Sequence, residues 1–245
     1  MKSMNLTKIS IALCGLLLTS VGHAWNEAGG EKDEAMTLEP DRERGIAVYE
    51  VCSACHLLEG WGLKDGTFPQ LAGQHRSVLI KQLADIRAGN RDNPIMRAFS
   101  SQRALGDAQD IADVAAYIEQ MPMTNRHGKA PGADLAHGKK VYEEECADCH
   151  GSQGEGDRKK QIPALRGQHY HYMVRQFNWI RNGRRRNADP DMVEQIQRFT
   201  ARDVTSVMAY AASLQVPAER VAPPGWTNPD FPQHWRGWRP LAGPR

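Results

Sequence analysis

The chain has 245 residues, 24% of them charged and 40% hydrophobic, with a formal net charge of +2. After its first 24 residues no stretch could span a membrane, and the remaining roughly 220 residues suit one or two domains. The charge is unevenly spread: 25–125 carries 10 Lys+Arg against 16 Asp+Glu, a net of −6, whereas 126–245 carries 19 against 13, a net of +6.

Lys2 and Lys8 form a positive n-region, Ile9 to Val21 an apolar run, and Gly22-His23-Ala24 a small-residue cleavage site. This reads as a signal peptide over 1–24, with export to the periplasm and a mature start at Trp25. An uncleaved anchor is the competing reading, but the run is shorter than the about 20 apolar residues a span requires. Leu13 before Cys14 makes a poor lipoprotein site. Residues 25–40 read as an N-terminal extension.

Asp41 to Val51 predicts a short amphipathic helix running straight into Cys52-Ser53-Ala54-Cys55-His56. Cys-x-x-Cys-His is the attachment signal of c-type haem: the thiols add to the haem vinyl groups and the histidine reaches the iron. Next come Pro69-x-Leu71-x-Gly73-Gln74-His75, a helix over Arg76 to Arg87, Met96 in a polar Pro-marked loop, and a helix over Ala108 to Gln120 holding Tyr117. Residues 41–124 form one domain and 125–133 a linker, within the Pro/Gly-containing connector Pro122 to Gly132.

The pattern then repeats. A helix over Asp134 to Glu145 leads into Cys146-Ala147-Asp148-Cys149-His150, followed by Pro163-x-Leu165-x-Gly167-Gln168-His169. A helix over Tyr170 to Arg181, Met192 and a helix over Ala201 to Leu214 with Tyr210 complete the second domain, 134–216. The offset stays between 93 and 96, so this is a duplicated domain. In each copy a Gly and a Tyr four apart (Gly45 and Tyr49, Gly138 and Tyr142) share a helix face, where the glycine permits close contact with the closing helix. No stretch has strand alternation, so the fold class is all-α. Residues 217–245 form a Pro/Trp-rich tail whose proline density argues against a helix; it reads as a strap on its own domains or as a docking element.

The five cysteines sort without remainder. Cys14 leaves with the signal, and the other four belong to the two motifs. Disulfide pairing is the alternative in an oxidising compartment; the trailing histidine at a fixed place argues for haem. With no thiol to spare, a cysteine distal ligand is excluded, and with it the His/Cys-ligated thiosulfate-oxidising haem enzymes.

The repeat resembles the class I cytochrome c domain, and the tandem resembles the dihaem cytochrome c4 family over roughly Asp41 to Gln215. The resemblance implies two small all-α domains packed together, each around one covalently bound haem c. It also implies that the carbonyls of Pro69 and Pro163 accept hydrogen bonds from His56 and His150. The long tail departs from the family pattern.

His56 and His150 are the expected proximal ligands, with Met96 and Met192 opposite them, a pairing that raises the potential and suits electron transfer. Met173 and Met208 fall on helices and read as packing residues. His75 and His169 are the rival distal ligands, and His127, His137, His171 and His234 read as surface residues. The expected function is a periplasmic carrier, not an enzyme, passing single electrons between a respiratory donor and a terminal oxidase or reductase. The alternatives are an electron-accepting subunit of a larger dehydrogenase and a dihaem peroxidase. Arg158-Lys159-Lys160 and Arg184-Arg185-Arg186 form either solvated loops or a basic ring that steers an acidic partner to the second haem. Nucleic acid is not an expected partner.

Overall fold

The computed structural model describes residues 30–130 and 132–231. The signal-peptide reading, the start of the extension, and the tail beyond 231 with His234, Trp235 and Trp238 lie outside the described residues. Within them the fold is helical, with isolated bridges in place of a sheet.

The first half holds α1 (Glu31–Thr37), α2 (Arg42–His56), α3 (Arg76–Ala88), α4 (Pro94–Phe99), α5 (Gln102–Leu105) and α6 (Ala108–Gln120). The second holds α7 (Leu135–Glu145), α8 (Ala147–His150), α9 (Tyr170–Arg181), α10 (Pro190–Gln195) and α11 (Ala201–Ser213). Side-chain caps start the main helices: Asp41 accepts from the Arg44 amide at 3.0 Å and Asp134 from the His137 amide at 3.1 Å. Asp107 and Thr200 open α6 and α11 with reciprocal capping boxes, which satisfy two otherwise unpaired amides at each start.

In each half the helix leading into the haem motif crosses the closing helix, α2 on α6 and α7 on α11. The repeated glycine sets how closely they approach. A Cβ on Gly45 would lie 2.5 Å from the Asp113 carbonyl oxygen, and one on Gly138 would lie 2.1 Å from that of Ser206. Tyr49 and Tyr142, one turn on, set their rings 5.5 and 5.4 Å from Tyr117 and Tyr210. Their hydroxyls donate to the carbonyls of Leu57 and Gly151, each at 2.7 Å. Those carbonyls belong to the residues that follow the motif histidines.

Three features differ from the sequence reading. The extension contains α1, which buries Ala35 against α3 and α6; Arg76 donates to the carbonyls of Ala35 and Leu38, and Arg87 pairs with Glu31. Met96 and Met192 stand on the short helices α4 and α10, not in open loops. Each helix has Pro at its first position and a capping Asn93 or Asp189 before it, a start that proline's fixed φ favours. Finally, α2 runs unbroken through its motif, whereas α7 stops at Cys146 (φ −121°) and α8 starts afresh.

The tail returns to the first half. Around Met123 it forms a parallel bridge, with the Met123 amide donating to Arg220 at 2.8 Å and the Ala222 amide to Met123 at 2.9 Å. Trp226 packs on Trp61 at 5.7 Å. Asn228 donates to the Leu58 carbonyl at 2.7 Å and the Tyr117 hydroxyl at 2.8 Å; that hydroxyl donates to Asp230, which also pairs with Arg42. Phe231 then enters the first core beside Tyr49.

Candidate haem sites

The two motif histidines end up in matching surroundings. His56 closes α2 and His150 closes α8, both are buried, and the Nδ1 of each donates to a proline carbonyl, Pro69 or Pro163, at 3.0 Å. That bond fixes the tautomer and leaves Nε2 as the free lone pair, the arrangement a metal-binding imidazole needs. Burial holds His56 neutral, lowering its pKa to about 4, and lowers His150 in the same direction. Burial also pushes the thiols of Cys52 and Cys146 up to about 12, so neither is a thiolate nucleophile at neutral pH.

A single cavity of about 810 Å³ joins the two sites. Cys52, Cys55, His56 and Met96 line it from the first domain, and Cys146, Cys149, His150 and Met192 from the second. Two observations fit haem in this space. The Nε2 of His56 is buried with no hydrogen-bond partner, and burying an unpaired polar atom is costly unless something ligates it. At the domain boundary the Arg91 and Arg185 guanidiniums line the cavity and share the amide oxygens of Gln82 and Gln176 at 2.8–3.1 Å. Neither is in an ion pair among the described residues, and desolvation together with the charge of Arg91 lowers Arg185 to about 9. Two cations on neutral acceptors, Arg91 buried and Arg185 half-buried, call for anions, and the carboxylates of a haem edge would supply them.

The repeated Gly-Gln-His serves the domain boundary. His75 donates through Nε2 to the Glu155 carbonyl of the second domain at 2.7 Å, and His169 donates to the Trp61 carbonyl of the first at 2.8 Å. The Gln168 side chain clasps the Gln70 backbone, accepting from its amide at 3.0 Å and donating to its carbonyl at 2.9 Å. The Gln70 side chain donates to the Gly167 carbonyl at 2.7 Å, and Gln74 clasps Ala164 from both sides. The rival distal-ligand role for His75 and His169 therefore meets ring nitrogens already engaged with carbonyls.

Among the other placements, His127 corrects the sequence reading, whereas His171, Met173 and Met208 lie as it expected. His127 is buried, donating to the Ala212 carbonyl at 2.6 Å, because the connector threads between the domains. His171 is exposed, and His137 is half-buried against Asp203 at 2.6 Å. Met173 and Met208 sit in the second core. The basic runs form no free ring around the second site. Arg184 pairs with Asp92 and stacks on Trp179, Arg186 donates to the Gly89 carbonyl, and Arg158 pairs with Glu119. With Arg185 they bind the first domain, leaving Lys159 and Lys160 exposed.

The cytochrome c family matches the chain twice, over 42–122 and 135–215. Cytochrome c4 of Pseudomonas aeruginosa is 31% identical over 219 residues, covering 86% of this chain and 100% of that one. The chain belongs to the dihaem cytochrome c4 family. The crystal structure of reduced cytochrome c4 from Pseudomonas stutzeri superposes with a TM-score of 0.61 at 29% identity, covering 72% of this chain and all of that one. The thiosulfate dehydrogenase electron acceptor of Stutzerimonas stutzeri is 34% identical over 174 residues, 66% of this chain and 78% of its own. This cytochrome carries two covalently bound haem c groups, one per domain, and is an electron-transfer protein rather than an enzyme.

The sequence reading missed Gln70, Gln168, Arg91 and Arg185. Gln70 follows Pro69, where the second copy has Ala164, and Gln168 is the counterpart of Gln74 in the Gly-Gln-His repeat, while Arg91 and Arg185 sit in the two loops that follow α3 and α9. A signal was there, but not its meaning.

Proposed function

We propose that this cytochrome is exported and carries single electrons between a respiratory donor and a terminal oxidase or reductase. His56 and His150 would ligate the two irons on one side and Met96 and Met192 on the other, with Cys52, Cys55, Cys146 and Cys149 holding the haems by thioether bonds. Bound haem supplies reversible one-electron chemistry at iron. The chain's part is to hold neutral imidazoles in one tautomer through Pro69 and Pro163, keep water out, and set both sites in one enclosure. That shared cavity is the observation that carries the proposal: electrons can enter through one domain and leave through the other. No helix among the described residues is long and apolar enough to cross a membrane, in keeping with a carrier released after cleavage near Ala24.

Service to a single dehydrogenase is the second reading, supported by the relative named as a thiosulfate dehydrogenase electron acceptor. A redox titration beside a peroxide-turnover assay tests the proposal. We expect two high-potential haems, a Met-to-iron near-infrared band in the oxidised protein, and no turnover. Low-potential haems without the band would overturn the Met assignments, and turnover would overturn the carrier role.

A further inference from the structure

Three of the four large apolar side chains that stand exposed among the described residues ring one opening. Val51, Ile95 and Phe99 are 43%, 60% and 42% exposed, and all three line the mouth of the first site. Their counterparts at the second mouth are Glu145, Asp191 and Gln195. There Gln195 donates to the backbone and carboxylate of Glu145 at 2.8 and 2.9 Å, and Arg198 pairs with the same carboxylate. The duplicated domain thus has one polar, latched mouth and one apolar mouth.

Charge separates the two further. The segment 93–99 bears Arg97 and no acid, whereas 189–195 bears Asp189, Asp191 and Glu194 and no base. Arg97 is exposed between Ile95 and Phe99, and Arg103 is exposed on α5, which packs on α2 and α4. Neither arginine is in an ion pair among the described residues, while Glu50 is the acid next to Val51. So the domain that is acidic overall presents an apolar, basic-edged mouth.

We propose that the first mouth is the docking face for an acidic redox protein, which seats an apolar contact zone on Val51, Ile95 and Phe99 and places carboxylates against Arg97 and Arg103. This rests on the electron-carrier reading and adds to it which domain meets an acidic partner. Apolar contact with a charged rim suits a transient complex, with the charges setting the encounter rate.

The test uses the full two-haem protein, reduced, and follows its oxidation by plastocyanin, an acidic blue-copper protein, as salt rises. The wild type should slow with salt. Arg97→Glu should cost about 5-fold or more at low salt and flatten the salt dependence, and Phe99→Gln should slow the reaction while keeping that dependence. Glu194→Gln, at the second mouth, should stay within about 2-fold. The near-infrared band should persist in every variant and the second potential should not move, and rates compared after correction for any change in the first haem's potential place the effect in docking. An unaltered rate in Arg97→Glu, or a larger response to Glu194→Gln, would overturn the proposal. So would a wild type that is inert to plastocyanin although ferricyanide oxidises both haems; failure with ferricyanide as well would overturn the carrier reading instead.

Discussion

Leu57 holds φ +69° and ψ 161°, a combination that glycine alone enters freely. Its counterpart after the second motif is Gly151, at φ +79° and ψ 153°. The strain is kept because the Leu57 carbonyl must face the Tyr49 hydroxyl. Leu57→Gly should therefore stabilise the protein by about 1 kcal/mol, the relief of strain less the added freedom of the unfolded chain. Urea unfolding of the two proteins checks this. His169 makes the second prediction at this scale. It receives the Gly128 amide at Nδ1 and donates to Trp61 at Nε2, so a second proton would face another donor. Burial accordingly lowers its pKa to about 4 from an ordinary 6.5. The unfolded chain binds that proton first, so the stability it confers is whole above pH 6.5 and is lost as pH falls towards 4. Melting temperature against pH should drop across that window, and His169→Gln should remove part of the slope. The motif residues were legible because haem attachment requires a fixed local spacing. The strain at Leu57 was not, since it depends on where a tyrosine eight residues earlier points.

Among the elements, the helices with strong apolar periodicity, α3, α6, α9 and α11, lie where the pattern placed them to within a residue. Those that escaped notice are short. α1 buries one alanine and otherwise shows charged residues, and α4 and α10 consist of six residues each behind a proline. Their stability comes from what they touch, as expected of helices too short to stand alone. The tail is the same case with larger consequences. Deleting 217–245 strips Phe231 from the first core and removes the Asn228 and Asp230 partners of Tyr117. The first domain should lose about 2–4 kcal/mol, from the exposed aromatic surface and the broken hydrogen bonds. The second should keep its stability, and calorimetry would show melting of the first domain separating to a temperature below that of the second.

Across the whole molecule the boundary is an approximate two-fold exchange in which each domain's Gln and His reach the other's backbone. Replacing Gln70 and Gln168 together by alanine leaves the Gly167 carbonyl and the Thr124 amide without those partners. The cost should be about 2–3 kcal/mol, seen as one unfolding transition splitting into two. Sequence revealed that the Gly-Gln-His recurs. It could not reveal that motif's partners across the boundary, which lie up to 108 residues away. The net charges of −6 and +6 likewise gave the sign of each half without showing that the arginines of the second lie against the first.

Phe231 also bears on the order in which this protein assembles. The first domain encloses its motif helix with a side chain that comes 182 residues after the Tyr49 it packs on. A ribosome or export channel delivers the N-terminal half early, yet that half cannot be sealed until the second domain has passed through and the strap has followed. The half made first is therefore the half finished last.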